Sequence, residues 1–226
     1  AVKRTGKVFE LGSQFCGDPQ YHKAREWIRD GKLGPLVWAQ GSYCRNNAKN
    51  SEWTYPVDPD ASLANLDWER WQGRTRKREW DPNRYFSWHK YYDYNSGILG
   101  NLLPHLFCPM MLAVGPEFPR RVTCTGTRQV STDREITDTT HLLAEMPGGL
   151  TFCVAGSTVN EQGLPQLIRG RKGTLYMGAS QNRMEFKPER LFAEELDPAT
   201  FSDPAPVADL ARLEKDRKST RLNSSH

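Results

Sequence analysis

Two glycine-containing turns, each flanked by a pair of alternating apolar segments, constrain the fold of this chain more than any other feature of its sequence. The segments and turns are residues 139–146, 147–149 (Pro-Gly-Gly) and 150–157, then residues 166–169, 170–173 and 174–177. Turns of this kind reverse the chain between hydrogen-bonded strands, so the spacing predicts two β-hairpins. Together with a further apolar segment at residues 122–130, they predict a predominantly antiparallel, open sheet with one face covered.

The first part of the chain follows a different pattern. Residues 7–15 (KVFELGSQF) are predicted to form a strand, and Asp18 followed by Pro19 is typical of a helix start. Apolar residues then recur at helical spacing, and residues 36–44 (LVWAQGSYC) predict a second strand. A strand, a helix and a strand in this order are the end of an α/β unit.

The middle of the chain combines an irregular stretch with an apolar helix. Residues 45–85 are rich in Asn, Asp, Pro, Arg and Trp, and we expect a packed excursion with short helical turns, one of them at residues 66–71. Residues 97–114 (GILGNLLPHLFCPMMLAV) are long and apolar enough to predict one helix. Pro104 would lie in its first turn, and Pro109 is expected to bend it.

Charge and cysteine patterns argue against several classes of protein. The net charge is +4, and the densest basic run, residues 74–78, is followed at once by Glu79 and Asp81, which favours a solvated loop over a nucleic-acid site. The five cysteines form no CxxC pair, so we expect buried free thiols in a reducing compartment and no metal site. No apolar stretch is long enough to span a membrane, and we expect a cytoplasmic protein.

Several motifs in order give the chain a family resemblance. YYDYNSGILGNLLPHLFCPMMLAVG (residues 91–115) resembles the second signature of the Gfo/Idh/MocA oxidoreductases, where a glycine step leads into a helix carrying Asp-x-x-x-His. VFELGSQ resembles the last strand of a Rossmann domain, and IRDGKLGPLV resembles the helix that links it to a second domain. NLDWERWQG and IRGRKGTLYMG resemble further family elements. The resemblance runs in register from residue 8 to residue 178 and is nearest to a bacterial branch with poorly defined substrates.

The resemblance implies a domain plan. Residues 1–35 would be an α/β remnant of an NAD(P)-binding Rossmann domain. Residues 36–213 would be the α+β substrate and oligomerisation domain with its predominantly antiparallel open sheet. Residues 214–226 are expected to be an artefactual or disordered tail. The implied partners are NAD or NADP, a sugar, cyclitol or related polyol, and further copies of the chain in a dimer or tetramer, with no nucleic acid and no membrane.

Two departures from the family pattern affect the expected activity. The glycine-rich phosphate turn and the Glu-Lys-Pro motif of the family are not in this sequence, so we expect it to be a carboxy-terminal fragment that binds cofactor poorly and is inactive alone. Inside the signature, Asn101 stands where the family has Asp, and Leu103 replaces a glycine.

The resemblance places His105 at the family's histidine position, and oxidation of an alcohol needs a base to take the hydroxyl proton. We therefore expect His105 to be the acid/base, with Asn101, four residues earlier, on the same helix face to orient it or the substrate. Other expected contacts border the cleft: Arg45, Asn46 and Tyr94 for substrate, and Gln14, ending the last Rossmann strand, for cofactor. We expect His22, His141, Trp68 and Trp71 to be structural.

Three alternatives remain open at the level of sequence. His105 on so apolar a helix could be a core histidine. Some members of the superfamily use NAD as a recycled oxidant in a glycosidase-like reaction, which no residue here separates from net dehydrogenation. A non-catalytic oligomerisation or partner-binding protein is the third, with Asn101 as a mark of lost chemistry.

Overall fold

The structure of the chain is a computed structural model, and it describes residues 2–9, 12–47, 52–180 and 183–196. The helices in these ranges are α1 (Val2–Thr5), α2 (Pro19–Arg29), α3 (Trp68–Gln72), α4 (Pro82–Phe86), α5 (Ile98–Asn101) and α6 (Pro104–Val114), with 3₁₀ turns at Trp88–Lys90 and Arg190–Phe192. The strands are β1 (Leu36–Asn46), β2 (Arg121–Thr127), β3 (Thr139–Glu145), β4 (Thr151–Ser157), β5 (Val159–Asn160), β6 (Leu167–Gly170), β7 (Gly173–Ser180) and β8 (Arg183–Pro188).

The described strands form one mixed sheet in the order β2-β3-β4-β1-β6-β7-β8, with β5 paired to the end of β1. Both predicted hairpins are confirmed, as β3–β4 and β6–β7, and every pairing is antiparallel except that of β1 with β4. The predominantly antiparallel sheet is therefore confirmed as well. Strand β8 had not been predicted from the sequence.

Helix α2 forms where its sequence predicts it. The Asp18 carboxylate accepts a hydrogen bond from the Gln20 N–H (3.1 Å), and Pro19 occupies the first turn, where its missing N–H costs nothing. Its apolar side packs on α6, and Gly31 and Gly34 take left-handed conformations (φ +70° and +67°) that turn the chain towards β1.

One face of the sheet is covered by α2, α5 and α6, and the other is open. The covered face carries the core, where Ala39, Phe152 and Ile168 on neighbouring strands are fully buried. On the open face Trp38 is 37% exposed and Leu143 is 50% exposed. Because side chains of a strand alternate between faces, this one-sided burial follows from the alternation in the sequence.

The predicted strand at residues 7–15 is wrong for the residues described there. Residues 7–9 and 12–13 have no regular secondary structure, and residues 14–17 form a turn. Val8 is 97% exposed, since no neighbouring strand of the described chain pairs with this segment. An apolar run without a ladder partner cannot satisfy its backbone groups as a strand, so the expected Rossmann remnant is not seen as an α/β unit.

The five cysteines differ from their prediction. The described cysteines are free, but none of the five is fully buried, and Cys108 and Cys124 are exposed, so the prediction of buried thiols is wrong. The end of the expected substrate domain, residues 197–213, and the tail at residues 214–226 lie outside the described residues. No described helix has both the length and the apolar character that a membrane span requires.

Candidate active site

The helix predicted over residues 97–114 is two helices, α5 and α6, meeting at Leu102 and Leu103. Gly97 begins α5 with a left-handed backbone (φ +64°), and Pro104 begins α6. Pro104 has no N–H to donate to the carbonyl four residues back, so the hydrogen-bond ladder is interrupted there. The main chain stays in the right-handed helical region at both leucines, which makes the junction a tightened turn.

This junction separates Asn101 from His105. The His105 N–H donates to the Leu102 carbonyl (3.1 Å), so the two residues do not belong to one regular helical turn as expected. Both side chains are half-buried, and the described structure contains no hydrogen bond between them. The orienting role of Asn101 therefore stays a prediction.

Strand β1 brings a second set of side chains to His105. Gly41 lies directly beneath α6, where a Cβ atom would fall 2.9 Å from Leu106 Cδ1. Two residues further along the same strand face, the Tyr43 ring lies 5.8 Å from the His105 ring, centroid to centroid. The close approach at Gly41 therefore sets α6 low enough on β1 to place His105 beside Tyr43.

Arg45 follows Tyr43 on that face. Its guanidinium lies 5.7 Å from the centre of the Tyr43 ring and forms an ion pair with Glu52 at 2.8 Å. Asn46 is exposed, and because neighbouring side chains alternate across a strand it projects from the opposite face. The structure thus groups Arg45 with Tyr43 and His105 but directs Asn46 elsewhere.

A second histidine lies near Arg45. The His89 ring is stacked on Trp88 (3.7 Å between centroids, 22° between planes) and is nearly parallel to Trp53 (6.0 Å, 9°). Burial lowers the pKa of His89, and the positive charge of Arg45 lowers it further. His89 is therefore held as a neutral imidazole.

Tyr94 lies in a cluster of aromatic rings. It packs against Trp71 (4.7 Å) and Trp68 (6.5 Å), and those two tryptophans are stacked on each other at 4.9 Å. Burial raises the pKa of Tyr94, so its phenol stays protonated. The packing of Trp68 and Trp71 agrees with the structural role expected for them. Tyr94 is packed among the same aromatic rings, so its substrate contact stays a prediction.

Gln14 does not end a strand. It is exposed in the turn at residues 14–17, so the reason for expecting it at a cofactor pocket is absent. Helix α2, which follows this turn, offers no site for a dinucleotide pyrophosphate either, because the carboxylate of Asp18 caps its N-terminus and would repel phosphate. Among the described residues, no group of three or more His, Cys, Asp or Glu side chains could hold a metal ion.

The sequence reasoning missed Tyr43, Glu52 and His89. Tyr43 had a usable signal, since it lies two residues before Arg45 on a predicted strand and therefore shares its face. Glu52 and His89 had none, because Glu52 comes from the irregular excursion and His89 from the 3₁₀ turn at Trp88–Lys90, and both reach Arg45 only through the tertiary fold.

The comparisons with known proteins agree with this architecture. Residues 70–176 match the family model described as the GFO/IDH/MocA C-terminal domain. The search of curated proteins gave no significant match.

Similar solved structures include three with NAD named in their descriptions. An NAD binding oxidoreductase from Klebsiella pneumoniae has 18% identity and a TM-score of 0.56 over 83% of this chain and 44% of its own. The WlbA dehydrogenase from Bordetella pertussis, in complex with NADH and UDP-GlcNAcA, has 17% identity and a TM-score of 0.54 over 84% and 50%. An inositol dehydrogenase homolog from Azotobacter vinelandii, with NADH and myo-inositol, has 15% identity and a TM-score of 0.54 over 91% and 48%.

At these identities the likeness concerns the fold, and the chain spans about half the length of the solved structures it matches. The family match covers the α5–α6 signature, the β3–β4 hairpin, most of the β6–β7 hairpin and only the last part of the excursion, residues 70–85. Residues 70–176 therefore carry a domain that matches the GFO/IDH/MocA C-terminal domain, and the fold of the chain is similar to that of solved oxidoreductases.

Proposed function

We propose that the protein carrying this chain is an NAD(P)-dependent oxidoreductase that oxidises a hydroxyl group of a sugar, cyclitol or related polyol. The single observation that carries the proposal is the position of His105, at the start of α6 and beside Tyr43 near the end of β1. A half-buried histidine at the start of a helix, next to a phenol whose ring also contacts a guanidinium, suits a base that must meet a hydroxyl group.

In this proposal the nicotinamide, when bound, accepts the hydride. His105 takes the proton from the reacting hydroxyl, and Arg45 binds the remainder of the substrate. Asn101 orients His105 or the substrate. Asn46 and Tyr94 stay secondary candidates for substrate contact, and Gln14 for cofactor contact, because their surroundings favour solvent or aromatic packing.

The family supports the substrate class. The Bordetella enzyme was solved with a nucleotide sugar and the Azotobacter protein with myo-inositol, each with NADH. We propose NAD or NADP as the cofactor, held by a Rossmann domain in a longer form of the protein. We further propose that residues 36–213 act as the substrate domain, that the protein is a cytoplasmic homo-oligomer, and that this chain alone is inactive.

The test uses the product of the longer gene, titrated with NAD and with NADP by cofactor fluorescence and then assayed with myo-inositol and glucose. His105→Ala should lower kcat/KM by about 10²–10⁴-fold, the usual contribution of a general base. His141→Ala is the matched control, since His141 is exposed on β3 and should leave kcat/KM unchanged. A well-folded product that binds neither cofactor would overturn the proposal and favour a partner-binding sheet domain.

A further inference from the structure

Beyond Arg45 lies a group of side chains that the proposed proton transfer does not use. Glu52 holds the Arg45 guanidinium at 2.8 Å, with 38% of the Arg45 side chain and 14% of the Glu52 side chain exposed. The His89 ring lies close enough to Arg45 to feel its charge, and the rings of Trp53, Tyr55 and Trp88 pack around His89. We refer to these four rings as the aromatic shelf.

The Arg45–Glu52 pair is suited to an uncharged ligand. Its two charges cancel, so an anionic group would meet no net attraction and would have to compete with the Glu52 carboxylate. Neighbouring hydroxyl groups of a sugar can instead accept from the guanidinium and donate to the carboxylate. The pair thus offers a donor and an acceptor side by side at a partly exposed position.

The aromatic shelf supplies an apolar surface next to the pair. Tyr55 is 47% exposed, and its ring lies 5.7 Å from the His89 ring. Trp53 beneath is 5% exposed and has a left-handed backbone (φ +60°), a conformation that a bulky residue adopts only when its surroundings impose it. Such strain clusters at binding sites, and a flat ring with a polar edge can hold the apolar face of a sugar.

Two buried nitrogen atoms in this group, Arg45 Nε and His89 Nδ1, have no hydrogen-bond partner among the residues that the structure describes. Unsatisfied polar atoms in a folded protein require an explanation. Neutral His89 can accept a hydrogen bond at Nδ1, and Arg45 Nε can donate one, so a ligand that orders both side chains would relieve the deficit.

Tyr43 connects His105 to this group. Its ring lies 5.8 Å from the His105 ring and 5.7 Å from the Arg45 guanidinium, and Arg45 follows it by two residues towards the end of β1. A ring whose hydroxyl is oxidised at His105 would cover Tyr43. A second ring, joined to the first, would reach Arg45 and the shelf.

We propose that Arg45, Glu52 and the aromatic shelf form a subsite for a second, uncharged sugar ring, so that the substrate is a neutral glycoside. The subsite rests on the proposed function for the identity of its first ring, but its own binding needs no cofactor.

The subsite can be tested by isothermal titration calorimetry of the full chain with cellobiose, maltose and lactose, and with glucose and glucuronate for comparison. At least one disaccharide should bind more tightly than glucose. Tyr55→Ala should weaken that binding about tenfold, the effect of losing one ring contact at a binding hot spot. Tyr92→Ala, which removes another exposed tyrosine (57% exposed), should leave it unchanged.

A second variant tests the charge argument without removing packing. Glu52→Gln preserves the shape of the side chain but frees the positive charge of Arg45, so affinity for glucuronate should rise about tenfold while disaccharide affinity falls. Circular dichroism of each variant checks that the fold is retained.

The outcomes separate this inference from the proposed function. Failure of every disaccharide to bind, equal affinity for glucose, or a wild-type preference for glucuronate overturns the subsite, even if the longer protein oxidises a monosaccharide. Disaccharide binding that depends on Tyr55 sustains the subsite, even if the longer protein binds neither NAD nor NADP.

Discussion

At the scale of single residues, His89 shows how a site residue can also set a stability profile. Its pKa lies below the ordinary value of 6.5 because of burial and the Arg45 charge. In the unfolded chain this histidine titrates with its ordinary pKa. Between that pKa and the lower pKa of the folded state, the unfolded state therefore binds more protons than the folded state. The stabilisation is fully present above that window and is lost across it as the pH falls.

We therefore expect the melting temperature to fall as the pH is lowered from about 7.5 to about 5.5, and to fall less in His89→Phe, which keeps the ring stacking but cannot be protonated. Thermal unfolding at stepped pH provides the measurement. His141→Phe, an exposed control, should keep the wild-type slope. An unchanged slope in His89→Phe would contradict the assignment of this pH dependence to His89.

A single buried carboxylate, that of Asp138, orders a loop of the chain. No sequence pattern predicted this role. The Asp138 carboxylate accepts hydrogen bonds from the N–H groups of Gln129, Val130 and Ser131 at 2.8–3.0 Å. Three such bonds satisfy a carboxylate that would otherwise be costly to bury. They fix the loop between β2 and β3.

At the scale of elements, the position of α5 depends on a glycine in the sheet. Gly156 on β4 pairs with Tyr43 on β1 and lies under Ile98, the first residue of α5. A Cβ atom at Gly156 would fall 2.2 Å from Ile98 Cγ2, well inside contact distance. The helix that precedes His105 can therefore rest on the sheet only because this position has no side chain.

Gly156→Ala should destabilise the protein by about 1–3 kcal/mol, the usual cost of overpacking a core. Gly148→Ala is the matched control, because no atom lies within 4 Å of its added Cβ and its effect should be within about 0.5 kcal/mol. Urea unfolding of both variants measures the difference. Equal stability of the two would show that α5 moves freely over β4.

At the scale of the whole molecule, the open face of the sheet exposes apolar side chains. Leu143 and Trp38 are exposed on the face opposite the helices, and an apolar surface on a rigid sheet is typical of a contact between subunits. We therefore expect the proposed dimer or tetramer to form through this face.

Leu143→Glu should shift the protein from its oligomeric mass towards the monomer mass of 25.8 kDa in light scattering, because it places a charge in the contact. Leu191→Glu changes a residue that is 77% exposed near the 3₁₀ turn at Arg190–Phe192 and should leave the mass unchanged. A monomeric wild type, or an oligomer insensitive to Leu143→Glu, would contradict this assignment.

Elements that depend on residues close together in the chain could be predicted from the sequence alone. The Asp18–Pro19 start of α2, the two hairpin turns and the alternation of buried and exposed strand residues depend on neighbours along the chain, so the pattern alone predicted them. The order of motifs likewise indicated the family whose C-terminal domain model matches residues 70–176, and it gave His105 and Arg45 as candidate site residues.

Features that depend on contacts between distant parts of the chain could be seen only in the folded structure. The segment at residues 7–15 has strand-like residues but no strand to pair with, and Pro104 divides a helix that apolar content alone predicted as one. The candidate active site likewise depends on contacts between residues that are distant in the sequence. Tyr43 and His105 meet because α6 rests on Gly41. Glu52, from the excursion, and His89, from the 3₁₀ turn that follows α4, reach Arg45 through contacts that no local pattern encodes.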